Sequence, residues 1–120
     1  MSNFFKSFTY AFNGIKLSLQ QRNMKVHVCC ALLAIACGFI LKINTAEWCM
    51  ILICIGIVLA LETMNTAIES LVDLVEPNHH PIAGKIKDLA AGAVLIFSIA
   101  SALIGIMIFG KYILVLLGYN

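Results

Sequence analysis

The chain has 120 residues, of which 62% are hydrophobic and 12% charged, and its formal net charge is +2. A soluble domain averages about 25% charged residues, and one this small exposes too much surface to be covered by so few charges. A free-standing soluble enzyme, a disordered chain and a nucleic-acid binder are thereby excluded. What remains is a single-unit integral membrane protein over 1–120, with a mean hydropathy of +0.99.

Phe4, Phe8, Phe12, Ile15 and Leu19 recur at steps of four and three, while Lys6, Asn13, Lys16 and Gln20 fall mostly elsewhere. This pattern predicts an amphipathic helix over about 3–23, lying in the headgroup plane with its basic side in water. Charges break the segment before Met24, so no cleaved signal peptide is expected.

Three stretches then lack charge, at 26–41, 48–61 and 89–110. A helix needs about 20 residues to span a bilayer. The second stretch reaches that length only if its helix runs on past Glu62, and no Pro or Gly interrupts 59–76 before Pro77 stops it. The predicted spans are 25–42, 46–76 and 86–110. Cys29, Cys30, Cys37, Cys49 and Cys54 lie in or beside these apolar runs without zinc-finger spacing, and read as small packing residues.

Lys6, Lys16, Arg22 and Lys25 precede the first span, and Lys85 and Lys87 lie between the second and third. The opposite side carries only Lys42 and, after the third span, Lys111. The basic segments point to an N-terminus inside and a C-terminus outside.

Four of the six acidic residues, Glu62, Glu69, Asp73 and Glu76, share one stretch with Asn65. At about 100° per residue, all five fall within a sector of about 80° on one continuous helix. Carboxylates clustered on one face repel each other and resist burial, so a divalent cation, a lysine or a transferable proton is needed among them. A solvated helix face accounts for Asp73 and Glu76. It does not account for Glu62, which directly follows fourteen uncharged residues. An acid at that depth points to function. Lys87-Asp88, with His79-His80, Gly84 and Lys85 upstream, could hold a polyphosphate and its magnesium, although the two histidines also read as plain loop residues. Neither GxxxxGK[ST] nor GxGxxG occurs.

The run Glu62-Thr-Met-Asn-Thr-Ala-Ile-Glu-Ser-Leu-Val-Asp73 resembles the signature E-x-x-N-[ST]-A-I-E-x-x-V-D of the prokaryotic diacylglycerol kinases, and Lys87-Asp-Leu-Ala-Ala-Gly-Ala-Val94 resembles K-D-x-x-[AS]-x-A-V. The resemblance covers about residues 4 to 110. It implies an all-α membrane protein, with a surface helix and three transmembrane helices assembled as a homotrimeric bundle. It also implies transfer of the γ-phosphoryl of MgATP to a membrane lipid alcohol, at the cytoplasmic face of the bacterial inner membrane. By the resemblance, Glu62 is the general base, Asn65 and Asp73 complete the catalytic set, and Glu69 binds Mg²⁺. Lys6, Tyr10, Asn78, His79, His80, Lys87 and Asp88 match nucleotide-side positions.

At the end of the surface helix, members commonly carry Glu-x-Asn-x-[Lys/Arg]-x-His with a metal-binding Glu. Here the run is Gln21-Arg-Asn-Met-Lys-Val-His27, so the second metal position is an uncharged Gln21. The run Ala90-Ala-Gly-Ala-Val94 looks more like the undecaprenol-using members than like those using diacylglycerol, which more often have serine at the position of Ala91. The expected partners are ATP, the lipid alcohol, the bilayer and two further copies of the chain, with Mg²⁺ as cofactor. The rival reading is a small proton-coupled transporter or channel subunit using Glu62. A structural membrane subunit without activity is the third.

Overall fold

A computed structural model describes residues 2–119; residues 1 and 120, the ends of the expected unit, lie outside the described residues. Four helices follow in order: α1 (Ser2–Ser18), α2 (Arg22–Leu41), α3 (Thr45–Val75) and α4 (Pro81–Leu116). The described residues contain no strand, and α2, α3 and α4 are each long and apolar enough to cross a membrane. At about 1.5 Å per residue, they measure roughly 30, 46 and 54 Å.

The helix ends differ from the sequence expectation where local chemistry decides them. α1 stops at Ser18 rather than near 23. Ser18 is buried, and its hydroxyl donates to Thr63 Oγ1 at 3.1 Å, because the Thr63 hydroxyl itself donates to the Leu59 carbonyl. This bond ties the surface helix to α3, and Leu19 to Gln21 form the turn into α2. α3 begins on a capping box: Asn44 Oδ1 accepts the Glu47 N–H at 3.0 Å, and the Glu47 carboxylate accepts the Asn44 N–H at 3.0 Å. It ends at Val75, with Glu76 as its cap rather than its last turn. The Glu76 N–H still closes the last helical bond, to the Val72 carbonyl at 2.8 Å, while its carboxylate turns to accept the Asn78 N–H.

α4 starts five residues earlier than expected, at Pro81 rather than 86. Pro81 occupies the first turn, where its missing N–H costs nothing, and His80 Nδ1 caps the helix by accepting the Ile82 N–H at 3.1 Å. It also runs six residues past 110, to Leu116. Here Lys111 forms an ion pair with Glu47, and the Tyr112 hydroxyl donates to the same carboxylate at 2.7 Å. Three groups, the Asn44 N–H, Lys111 and Tyr112, thus converge on one buried acid at the end of the bundle away from α1.

The core lies beside that acid. Ile43, Ile51 and Ile108 are buried together, against Ala34, Trp48 and Phe109. Gly38 lets α2 approach: a β-carbon there would meet Trp48 Cη2 at 2.8 Å and Ile43 Cδ1 at 3.1 Å. Gly38→Ala is expected to destabilise the bundle by about 1–3 kcal/mol, the usual cost of overpacking, read as a lower melting temperature in detergent. An unchanged melting temperature would mean that the indole gives way freely. Elsewhere the long helices leave Leu33, Ile96 and Met107 largely exposed. Such faces are untenable in water and ordinary in hydrocarbon, where helices keep every backbone bond internal.

Candidate active site

The polar residues of α3 grade from buried to exposed along one face. Glu62 and Asn65 are 3% and 4% exposed, Glu69 is half-buried, and the Asp73 side chain is 61% exposed. Three pairings hold this stripe. His27, on the first turns of α2, brings Nε2 within 3.8 Å of Glu62 Oε2. Asn65 Nδ2 donates to Glu69 Oε1 at 3.1 Å, one helical turn on. Lys87, from the start of α4, donates to Asp73 Oδ1. The Thr66 hydroxyl is occupied by the Glu62 carbonyl, so it leaves the stripe alone.

Two features give the stripe chemical potential. Asn65 Oδ1 is buried and has no hydrogen-bond partner among the described residues. An unsatisfied buried oxygen costs about 1–3 kcal/mol, and the Nδ2 of the same amide is bonded to the Glu69 carboxylate. Asn65 Oδ1 and the Glu69 carboxylate are hard oxygen donors of the kind Mg²⁺ takes, and that ion is commonly held by one or two protein ligands with substrate phosphates supplying others. The pair fits the ion, although no cluster of three His, Cys, Asp or Glu residues occurs among the described residues. The second feature is a cavity of about 400 Å³ between α2, α3 and α4, lined mostly by apolar side chains such as Ala34, Val58, Leu59 and Phe109. His27 lines it too, so the cavity reaches the imidazole that faces Glu62.

The structure carries Glu62, Asn65, Glu69 and Asp73 on one face of α3, as the sequence arithmetic predicts, and sets Lys87 of α4 against Asp73. It leaves other expected site residues apart. Gln21 is exposed in the turn before α2 and makes no side-chain bond to the helix it caps. Lys6 and Tyr10 are exposed on α1, and among the described residues no hydrogen bond or ion pair joins them to the carboxylates of α3. Asn78, His79 and Asp88 are exposed near the helix ends, and His80 is spent on capping α4. His27 received no role from its sequence context. Two signals point to it: it fills the His position of the Glu-x-Asn-x-[Lys/Arg]-x-His run, and it is the lone imidazole within the uncharged stretch 26–41.

The profile of the family Prokaryotic diacylglycerol kinase matches residues 9–109. The chain is 43% identical over 110 residues to a Bacillus subtilis protein named Undecaprenol kinase, covering 91% of this chain and 89% of that one. It is 35% identical over 105 residues to a Synechocystis Diacylglycerol kinase, covering 86% of this chain and 60% of the relative's length. It is 24% identical over 99 residues to the Escherichia coli K12 Diacylglycerol kinase, covering 82% of this chain and 81% of that one. With the three spanning helices and the stripe on α3 already in place, the chain belongs to the prokaryotic diacylglycerol kinase family and is a multi-pass membrane lipid kinase.

Proposed function

We propose that this lipid kinase moves the γ-phosphoryl of MgATP onto the hydroxyl of a membrane lipid alcohol, with undecaprenol as the favoured acceptor. The observation that carries the reading is the gradient along α3, from a buried Glu62 beside a mostly apolar cavity to an exposed Asp73–Lys87 pair. A lipid with its chain in the cavity presents its hydroxyl to Glu62, and a water-soluble nucleotide meets the exposed end. Glu62 takes the hydroxyl proton as the lipid oxygen bonds to the γ-phosphorus and the bond to ADP breaks. His27 orients that carboxylate from the side of the cavity. Lys87, aimed by Asp73, sets a positive charge against the phosphates. Glu69 and Asn65 Oδ1 would hold Mg²⁺, which when bound neutralises charge on the phosphates. Lys6, Tyr10, Asn78, His79, His80 and Asp88 form the polar rim on the nucleotide side, and the Ser18–Thr63 bond supports this by tying α1 to α3 at the level of Glu62.

The acceptor choice is supported by the Bacillus subtilis relative's name and by the serine-free run Ala90 to Val94. An acceptor panel with labelled ATP tests it: undecaprenol should be phosphorylated faster than diacylglycerol. The reverse order overturns the choice, and ATP turnover without any lipid product overturns the whole reading. The basic ends of α1, α2 and α4 support a site on the cytoplasmic face of the inner membrane. Assembly as a homotrimer is supported by small residues facing open space, since a β-carbon on Gly56 or Gly92 would meet nothing within 4 Å. Mass measurement in detergent should give three chains.

Glu69→Gln should raise the Mg²⁺ concentration needed for half-maximal rate and lower the maximum. Gln21→Glu should lower that concentration, because it adds a charged oxygen at the second metal position. Magnesium titrations of both variants check this. A curve unmoved by Gln21→Glu would remove Gln21 from the metal site.

A further inference from the structure

Two polar atoms of the cavity remain unused by this account. Ser98 and Ser101, both on α4, line the cavity, and their Oγ atoms are buried without a hydrogen-bond partner among the described residues. A helical serine commonly satisfies its hydroxyl on the carbonyl one turn back, as Ser70 does on Thr66 at 2.9 Å. These two do not, and hydrocarbon offers no water to replace the missing bond.

Their depth is fixed by the register of α3 and α4. Lys87 pairs with Asp73, and Ser98 lies eleven residues along α4 from Lys87, as Glu62 lies eleven along α3 from Asp73. The helices are antiparallel, so Ser98 and Glu62 share one level. Ser101 lies about 4.5 Å deeper at the helical rise, level with Leu59, which also lines the cavity. Donors thus stand at the level of Glu62 and one turn below it.

We infer that Ser98 and Ser101 are acceptor-binding residues that widen the range of lipids accepted: Ser98 donates to the hydroxyl oxygen that Glu62 deprotonates, and Ser101 donates to an oxygen deeper in the lipid. The inference rests on the lipid-acceptor reading of the cavity. A glycerolipid alcohol has ester carbonyls a few bonds from its free hydroxyl. A polyprenol has only hydrocarbon there. Ser98 therefore serves either acceptor, and Ser101 favours the ester-bearing one. The pair keeps the site open to glycerolipids even with undecaprenol as the preferred substrate.

The test measures kcat and KM for dioctanoylglycerol and for a polyprenol, with MgATP in mixed micelles. Alanine is the best helix former, so Ser98→Ala and Ser101→Ala should fold. Ser98→Ala is expected to raise KM for both lipids about five- to tenfold, the scale of one hydrogen bond. Ser101→Ala is expected to lower the ratio of kcat/KM for the glyceride to that for the polyprenol by a similar factor. Ser101→Thr, which keeps the hydroxyl, should restore the ratio. Unchanged constants in both alanine variants, with an active wild type, would overturn the inference alone and return the hydroxyls to their own backbone. A changed mass in detergent with unmoved KM would overturn it in favour of a second copy facing the serines. A wild type that used the polyprenol but never the glyceride would overturn the role of Ser101. A wild type inactive on both lipids would remove the proposed function and this inference together.

Discussion

Glu62→Gln is expected to lower kcat by roughly 10²-fold or more, the usual contribution of a positioned general base. Glutamine matches the shape of the carboxylate and fits the same buried slot on α3, so the helix and its capping box should persist. What disappears is the ability to take a proton at the level where the cavity meets His27. Nucleotide binding should survive, because the exposed Asp73–Lys87 end lies about 16 Å along the helix by its rise. Initial rates together with nucleotide binding check this. Near-normal turnover in the variant would refute the base assignment.

Lys87→Ala is expected to cut kcat by about 10²-fold and to raise KM for ATP, the scale of losing one preorganised charge at a transferring group. Lys87 is half-buried and bonded to Asp73, so its ammonium is already aimed before nucleotide arrives. Asp73→Asn should have a smaller effect, because it removes the aiming and leaves the cation. Equal losses in the two variants would make Asp73 a participant in its own right. An unaffected KM for ATP in Lys87→Ala would place the phosphates elsewhere.

The stripe on α3 was legible in the sequence because it is local. Glu62, Asn65, Glu69 and Asp73 lie on one helix, and the helical angle alone gathers them. Glu76 closes that helix as its cap, and its carboxylate is taken up by the Asn78 N–H beyond the helix end. The three spans were legible from their apolar runs, but the ends of α4 were not. Its start depends on a histidine side chain capping a proline-led turn. Its continuation depends on Lys111 and Tyr112 finding Glu47 across the bundle, a contact between residues far apart in sequence. The pairing of His27 with Glu62 is out of reach for the same reason: the run that ends in His27 says nothing of which acid it meets. The free hydroxyls of Ser98 and Ser101 are further from reach, because a serine's lack of a partner exists only in three dimensions.

The central claim is that one helix face joins a membrane-depth base to a phosphate-binding end. Its most direct measurement is the transfer of γ-labelled phosphate from ATP to a lipid alcohol by the purified protein in mixed micelles. Wild type and Glu62→Gln would be compared at saturating Mg²⁺. The account predicts label in the lipid with wild type, none without Mg²⁺, and a loss of about 10²-fold in the variant. Equal label from both proteins, or label in no lipid alcohol at all, would contradict it.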